Sequence, residues 1–294
     1  MRISTSYEYQ LYQSEIDSST AAYNNAQQAV ATGKAINQIS DDPYGAMNAL
    51  NMTALQSQIN QFNNNLGTAK DFMSTNENAL TQVTNLMNQA YQVAVQGANG
   101  TNNQDALNAM ASQITNIQAG LVNVANTQNA SGQYVFAGQQ TNVQPFNSSN
   151  GKLTYSGDSG NISIEVAPGQ QMAVNTPGSP LFTNLYNQLE TLKSDLSSGS
   201  LSKISNTDLA NLKTSMSNVS DLNGQYGAQI DAVTTMVNAN TQRTTDLTSN
   251  ISNIENVNVA QAALTLTQTQ TVYQAALDTI SQANKYNLVD FLPA

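Results

Sequence analysis

The chain has 294 residues, of which 39% are hydrophobic and only 10% charged, and it carries a net charge of −10 with just nine Lys and Arg. It contains no Cys, no His and no Trp, so a disulfide, a thiolate zinc site and a His-based acid–base pair are all impossible. The few cations are scattered and form no basic groove or patch, so neither nucleic acid nor an anionic membrane is an expected partner.

The charged fraction is well below the ~25% of ordinary soluble domains. Asn, Gln, Ser and Thr take its place, and such a surface lets like chains pack side by side without strong repulsion. No segment reaches the ~18 consecutive apolar residues of a membrane span. The N-terminus lacks a basic stretch followed by an apolar one, so an extracellular location implies export without a cleaved signal peptide.

Residues 1–33 read as a helix. Its stripe, Tyr9, Tyr12, Ile16, Ser19, Tyr23, Ala26 and Val30, steps alternately by three and four, the period of a heptad seam. The three tyrosines at this spacing read as seam residues, not as a ligand-stacking ladder. Gly33 ends the helix. Asp42 then suits an N-cap and Pro43 the first helical position, where its missing N–H costs nothing. Asp41 and Asp42 are read as cap and dipole partners, since a catalytic carboxylate pair also needs a cleft and a set separation.

A long helix is predicted over about 43–97. Its seam is Leu55, Ile59, Phe62, Leu66, Ala69, Met73, Asn76, Leu80, Val83, Met87, Ala90 and Ala94. At 1.5 Å per residue it would run on the order of 80 Å, too long for one face of a globule and suited to a rod or bundle. Residues 99–103 read as a turn. A helix over 104–129, with Leu107, Met110, Ile114, Ile117, Leu121 and Val124 on one face, is expected to fold back antiparallel.

Near Ser131 the pattern changes toward period two. Segments 133–137, 152–155, 161–166 and 171–174 read as short strands, with turns at 156–160 and 167–169. Gly132–Gly138 is no phosphate loop, because it lacks the Lys and the glycine spacing of one. Helix returns over 181–196, and 197–200 is a loop.

A very long helix is expected over 207–254, with a seam at Leu212, Met216, Val219, Asn223, Tyr226, Ile230, Val233, Val237, Asn240, Thr244, Leu247, Ile251 and Ile254. Its Asn and Thr members can fix register at some cost in stability. The phase slips by a residue at 255–258. A last helix then carries Val259, Ala263, Leu266, Gln270, Tyr273, Leu277 and Ile280. Its one basic residue, Lys285, gives little hold on a membrane surface, so a partner helix is the better reading.

Neither terminal helix can bury its stripe alone, and if they pair, the break at 33–43 lies opposite the slip at 255–258. The expected division is a terminal coiled-coil layer of 1–42 and 255–294, a helical bundle of 43–130 and 181–254, and a small β domain over 131–180.

The opening Met1-Arg2-Ile3-Ser4-Thr5, then Thr32-Gly33-Lys34, then Ser40-Asp41-Asp42-Pro43, resembles the N-terminal region of the bacterial flagellin family. Tyr273-Gln274-Ala275-Ala276-Leu277 and the ending 287–292 resemble the matching C-terminal region. Gly132–Gly138, followed by Thr141 and Pro145-Phe146, is similar to the hook-associated junction proteins of that family. Positions 35 and 36 read Ala-Ile where many relatives carry Arg or Lys before the apolar residue.

The resemblance implies a mainly α, elongated flagellin-like rod with terminal coiled-coil helices, a long-helix bundle and a small mid-chain β insertion. It implies a structural adaptor between hook and filament, outside the cell, with no catalytic role, metal or cofactor. Export would go through the flagellar type III apparatus. The implied partners are further copies of the chain, the first hook-associated protein, flagellin, the filament cap and a cytoplasmic export chaperone at the C-terminal helix. The assembly interface would include Ile3, Tyr9, Tyr12, Ile16, Tyr23, Val30, Val259, Leu266, Tyr273, Leu277, Ile280, Leu288 and Phe291, with Gly33, Asp41, Asp42 and Pro43 as turn and cap. Two alternatives stand beside this one: a short flagellin that builds filament, and a secreted adhesin or enzyme on a helical scaffold.

Overall fold

The computed structural model describes residues 2–289; the side chains of 2–6, 8 and 283–289, and residues 1 and 290–294 altogether, lie outside the description. The heptad stripes become helices α1 (Arg2–Thr32), α2 (Pro43–Gly97), α3 (Gln104–Ala125), α4 (Ser179–Ser197), the single turn α5 (Leu201–Lys203), α6 (Leu209–Glu255) and α7 (Val259–Val289). Contacts divide the chain into two units, one of Met1–Gln58 with Gln242–Ala294 and one of Ile59–Thr241.

The second unit holds the main core. From α2 it takes Leu66, Met73, Leu80 and Met87, from α3 Ile114 and Leu121, from α4 Leu185, Leu189, Leu192 and Leu196, and from α6 Leu212, Val219 and Val233. The polar members of the seams make cross-helix hydrogen bonds. Asn240 donates to Asn63 Oδ1 at 3.0 Å, and Asn223 to Thr81 at 3.4 Å. Asn76, fully buried in α2, donates to the Phe72 and Val174 carbonyls. The turn after α2 is built from Asn side chains: Asn99 accepts from Thr101, Asn102 donates to the Gln96 carbonyl, and Asn103 caps α3 through the Ala106 N–H.

The β region differs from the sequence expectation. Among the described residues it forms two separate antiparallel hairpins, β1 (Phe146–Ser149) with β2 (Lys152–Tyr155) and β3 (Ser163–Ala167) with β4 (Gln170–Ala173). The predicted strand at 133–137 is instead a run of turns, with one isolated bridge from Tyr134 to Gln128. Val135, Phe136 and Ala137 are all buried. Three consecutive inward side chains cannot belong to a strand, whose side chains alternate. The tract is bent by Gly138 at φ +71, where a Cβ would also strike the Asp158 carbonyl. The strand the sequence missed, β1, begins at Phe146, whose backbone exchanges two 2.9 Å hydrogen bonds with the Asn126 side chain just past α3. Phe136, Phe146 and Phe182 meet in one aromatic cluster, with ring centroids 4.7 Å and 5.3 Å apart. The Tyr155 hydroxyl donates to the carbonyls of Phe136 and Asp158, and burial, then the Asp158 charge, pushes its pKa up to about 12.

A second difference lies before α6. Helix resumes at Leu201, six residues earlier than expected, and passes through a π-helical turn over Ile204–Asp208. That turn buries Asp208, whose Oδ2 has no hydrogen-bond partner among the described residues. Burial first, and then the charge of Asp195, pushes the Asp208 pKa up to about 6, against the pull of Lys203. From about pH 4 to pH 6 the folded state therefore holds a proton that the unfolded chain has lost. This contribution to stability falls as pH rises through that window and is a penalty above it, about 3 kcal/mol at most. Asp208→Asn is expected to raise unfolding free energy at pH 7 and to leave it little changed at pH 4. Urea unfolding at the two pH values checks this, and equal effects at both would refute it.

In the first unit, the connection from α1 to α2 meets the connection from α6 to α7, as the phase slip implied. Lys34 and Asn256 form an antiparallel bridge, Ala35 N donates to the Glu255 carbonyl at 2.6 Å, and Val257 N to the Gly33 carbonyl at 3.0 Å. Gly33, at φ +71, lets the chain leave α1 in the left-handed conformation of a helix terminus. The Lys34–Glu255 ion pair beside it is partly exposed and adds little stability. Asp41 Oδ2 accepts from the N–H groups of Asn37 and Gln38, and Asp42 Oδ1 from those of Tyr44 and Gly45. These two carboxylates thus shape the turn and cap α2, which begins at Pro43.

Candidate assembly interface

The α1–α2 connection ends beside the start of α7, so α1 and α7 run antiparallel and pack along their lengths. Tyr23 and Tyr273 stack across the seam, with ring centroids 5.8 Å apart and planes within 9°. Tyr12, Ile16, Ser19 and Val30 of α1 are half-buried, and Ala26 is buried.

On α7 the packed stripe is Ala262, Leu266, Thr269, Tyr273, Ala276 and Ile280. Leu266, Tyr273 and Ile280 were expected there; Ala262, Thr269 and Ala276 were not. The expected members Val259, Ala263, Gln270 and Leu277 are exposed instead, and the small Ala262 and Ala276 let the two helices approach closely. Steps of four and three from Ala262 would have revealed the alternative stripe.

Tyr9, Val259 and Leu277 face outward, as do Tyr7, Leu11, Leu264 and Val272. The side chains of Ile3 and Leu288, and the whole of Phe291, lie outside the described residues. The pair thus retains a second apolar surface after its own seam is made. Part of it is a groove of about 540 Å³ flanked by Glu15, Ser18 and Ala22 of α1 and by Thr269, Val272 and Ala276 of α7. The same unit exposes Ile39, Tyr44, Met47 and Leu50 around the start of α2. Scattered exposed apolar residues are ordinary, but this many in one unit make it the candidate interaction surface.

The electrostatics are nearly blank. Residues 18–33 and 259–277 contain no charged side chain. Among the described residues no cluster of three metal-ligating acids occurs, and no helix is long and apolar enough to cross a membrane. What the α1–α7 pair offers is a helix-shaped, largely apolar surface, with Glu15 as the one charged residue lining its groove.

Residues 3–141 match the bacterial flagellin N-terminal helical region. The chain is 27% identical over 302 residues to the flagellar hook-associated protein 3 of Escherichia coli, an alignment covering 94% of this chain and 95% of that protein. It is 31% identical to a flagellin of Salmonella muenchen, but over only 105 residues, 36% of this chain and 21% of the flagellin. Its fold is similar to that of the flagellar junction protein FlgL from Legionella pneumophila, with a TM-score of 0.55 at 13% identity, covering 61% of this chain and all but 4% of that one.

Proposed function

We infer that the chain belongs to the bacterial flagellin family, on the hook-associated protein 3 branch, and is a structural subunit of the flagellum joining hook to filament. The observation that carries this reading is the near end-to-end alignment with hook-associated protein 3. A short filament-forming flagellin is the poorer account, because the flagellin match covers about a third of this chain. An enzyme or adhesin has no support in the α1–α7 surface, and a chain without His or Cys lacks the usual hydrolytic groups.

The mechanism is polymerisation with coupled folding. Alone, α1 and α7 half-bury their seam residues and leave Val272, Leu264 and Leu277 in water. Neighbouring copies bury those side chains, and the gain offsets the entropy of ordering two long helices. The interface comprises Tyr9, Tyr12, Ile16, Tyr23, Val30, Val259, Leu266, Tyr273, Leu277 and Ile280, and by the family pattern Ile3, Leu288 and Phe291. The neighbours are the first hook-associated protein on one side and flagellin or the filament cap on the other. The chain leaves the cell through the flagellar export apparatus without signal cleavage, its C-terminal helix held until then by a cytoplasmic chaperone.

Deleting the gene tests the reading. Electron microscopy is expected to show bare hooks, with filament protein shed into the medium. Intact filaments and full motility would reject the junction role.

A further inference from the structure

Between α4 and α6, at the π-helical turn, lies a polar cleft of about 210 Å³. Its walls are Asn184, Asn187, Gln188 and Thr191 of α4, Asn211 of α6, and Asp208. Asp208 is 2% exposed, and its Oδ2 has no hydrogen-bond partner among the described residues. A buried carboxylate oxygen without a partner is costly. The π turn that brings Asp208 to this wall is itself a rare irregularity, of a kind frequent at functional sites.

The local charge is also unbalanced. Asp195, one turn beyond Thr191 on α4, is 6% exposed, and its negative charge acts on Asp208. Lys203, whose side chain is 67% exposed, lies 3.4 Å from Asp195, and its charge acts on Asp208 as well. Two buried carboxylates thus share one loosely held positive charge.

We propose that the cleft between α4 and α6 binds a divalent metal cation of the calcium class, with the Asp208 carboxylate as its charged ligand. The donors available are hard oxygens: the carboxylate, the amide carbonyls of Asn187 and Asn211, and the Thr191 hydroxyl. Such a set suits Ca²⁺, which takes six to eight oxygens in loose geometry, better than Mg²⁺, which demands a near-ideal octahedron. A chain without His or Cys lacks the nitrogen and sulfur ligands that zinc prefers. The cleft has room for the ion and several of its waters, each filling about 30 Å³. With so few charged ligands, affinity falls in the weak extracellular range, Kd about 10⁻⁴–10⁻³ M. The donor set is one carboxylate plus neutral oxygens, so no motif spacing announces it. This inference is independent of the junction role.

The test is thermal unfolding of the full-length chain at pH 7 with CaCl₂, against NaCl at matched ionic strength and MgCl₂, alongside calorimetric titration with Ca²⁺ alone. The expected result is saturable binding and a rise in Tm of about 3–6 °C at about 10 mM CaCl₂. MgCl₂ is expected to do less, and Asp208→Asn to abolish both binding and shift. Lys203→Ala, which removes the cation beside the two carboxylates, is expected to retain or tighten binding. No calcium response in the wild type, the same response in Asp208→Asn, or loss of binding in Lys203→Ala would each overturn the proposal.

Discussion

Ile16→Asp is expected to abolish incorporation into the flagellum while leaving the subunit soluble and the main core folded. Ile16 sits half-buried on the α1 side of the seam. A carboxylate there faces an apolar stripe of the partner helix, and α7 has no cation before Lys285. Burying an unpaired charge costs several kcal/mol, more than a pair of partly buried helices can supply. None of the main-core residues lies on α1, so that core is untouched. Leu277→Asp makes a useful companion because Leu277 is 41% exposed in the isolated chain. It is expected to spare the α1–α7 pair and still block assembly, since the damage would fall on contacts with neighbours. Circular dichroism of the purified variants and electron microscopy of complemented cells check both. Normal filaments from either variant would remove that residue from the interface.

Phe182→Ala is expected to destabilise the chain by about 3–5 kcal/mol, the range for deleting a fully buried aromatic ring. Phe182 lies at the start of α4, fully buried, with its ring against those of both Phe136 and Phe146. Its loss empties the point where the turn tract, the first hairpin and α4 converge, and the two remaining rings cannot close the gap without moving their backbones. Denaturant unfolding monitored on the helical signal measures the effect. A loss below about 1 kcal/mol would mean that the hairpins are not held by this cluster.

Long seams were the most legible part of the fold. Of the twelve residues assigned to the α2 stripe, eleven are buried and Leu55 is half-buried, and every member of the α6 stripe is at least half-buried. Sustained alternation of three and four over many turns has few physical explanations besides one packed helix face. Short segments were less legible. Tyr134-Val135-Phe136-Ala137 has the composition of a strand, yet its backbone turns repeatedly to aim consecutive side chains inward, and only tertiary packing determines that. On α7 both an alanine stripe and a larger-residue stripe fit the heptad period, and periodicity alone does not rank them. The cleft at Asp208 left no trace in the sequence, because its members are ordinary Asn, Thr and Asp residues whose meeting depends on a π-helical turn.

The charge-free stretches of α1 and α7 have a physical corollary. Attractions between surface charges fade as ionic strength rises, with a screening length of about 10 Å at 0.1 M salt and about 3 Å at 1 M. Contacts made from tyrosine, alanine, leucine and amide side chains have little such attraction to lose, and excluded salts strengthen apolar burial. Cohesion through these helices is therefore nearly indifferent to the salinity of the surrounding medium, from dilute fresh water to brine.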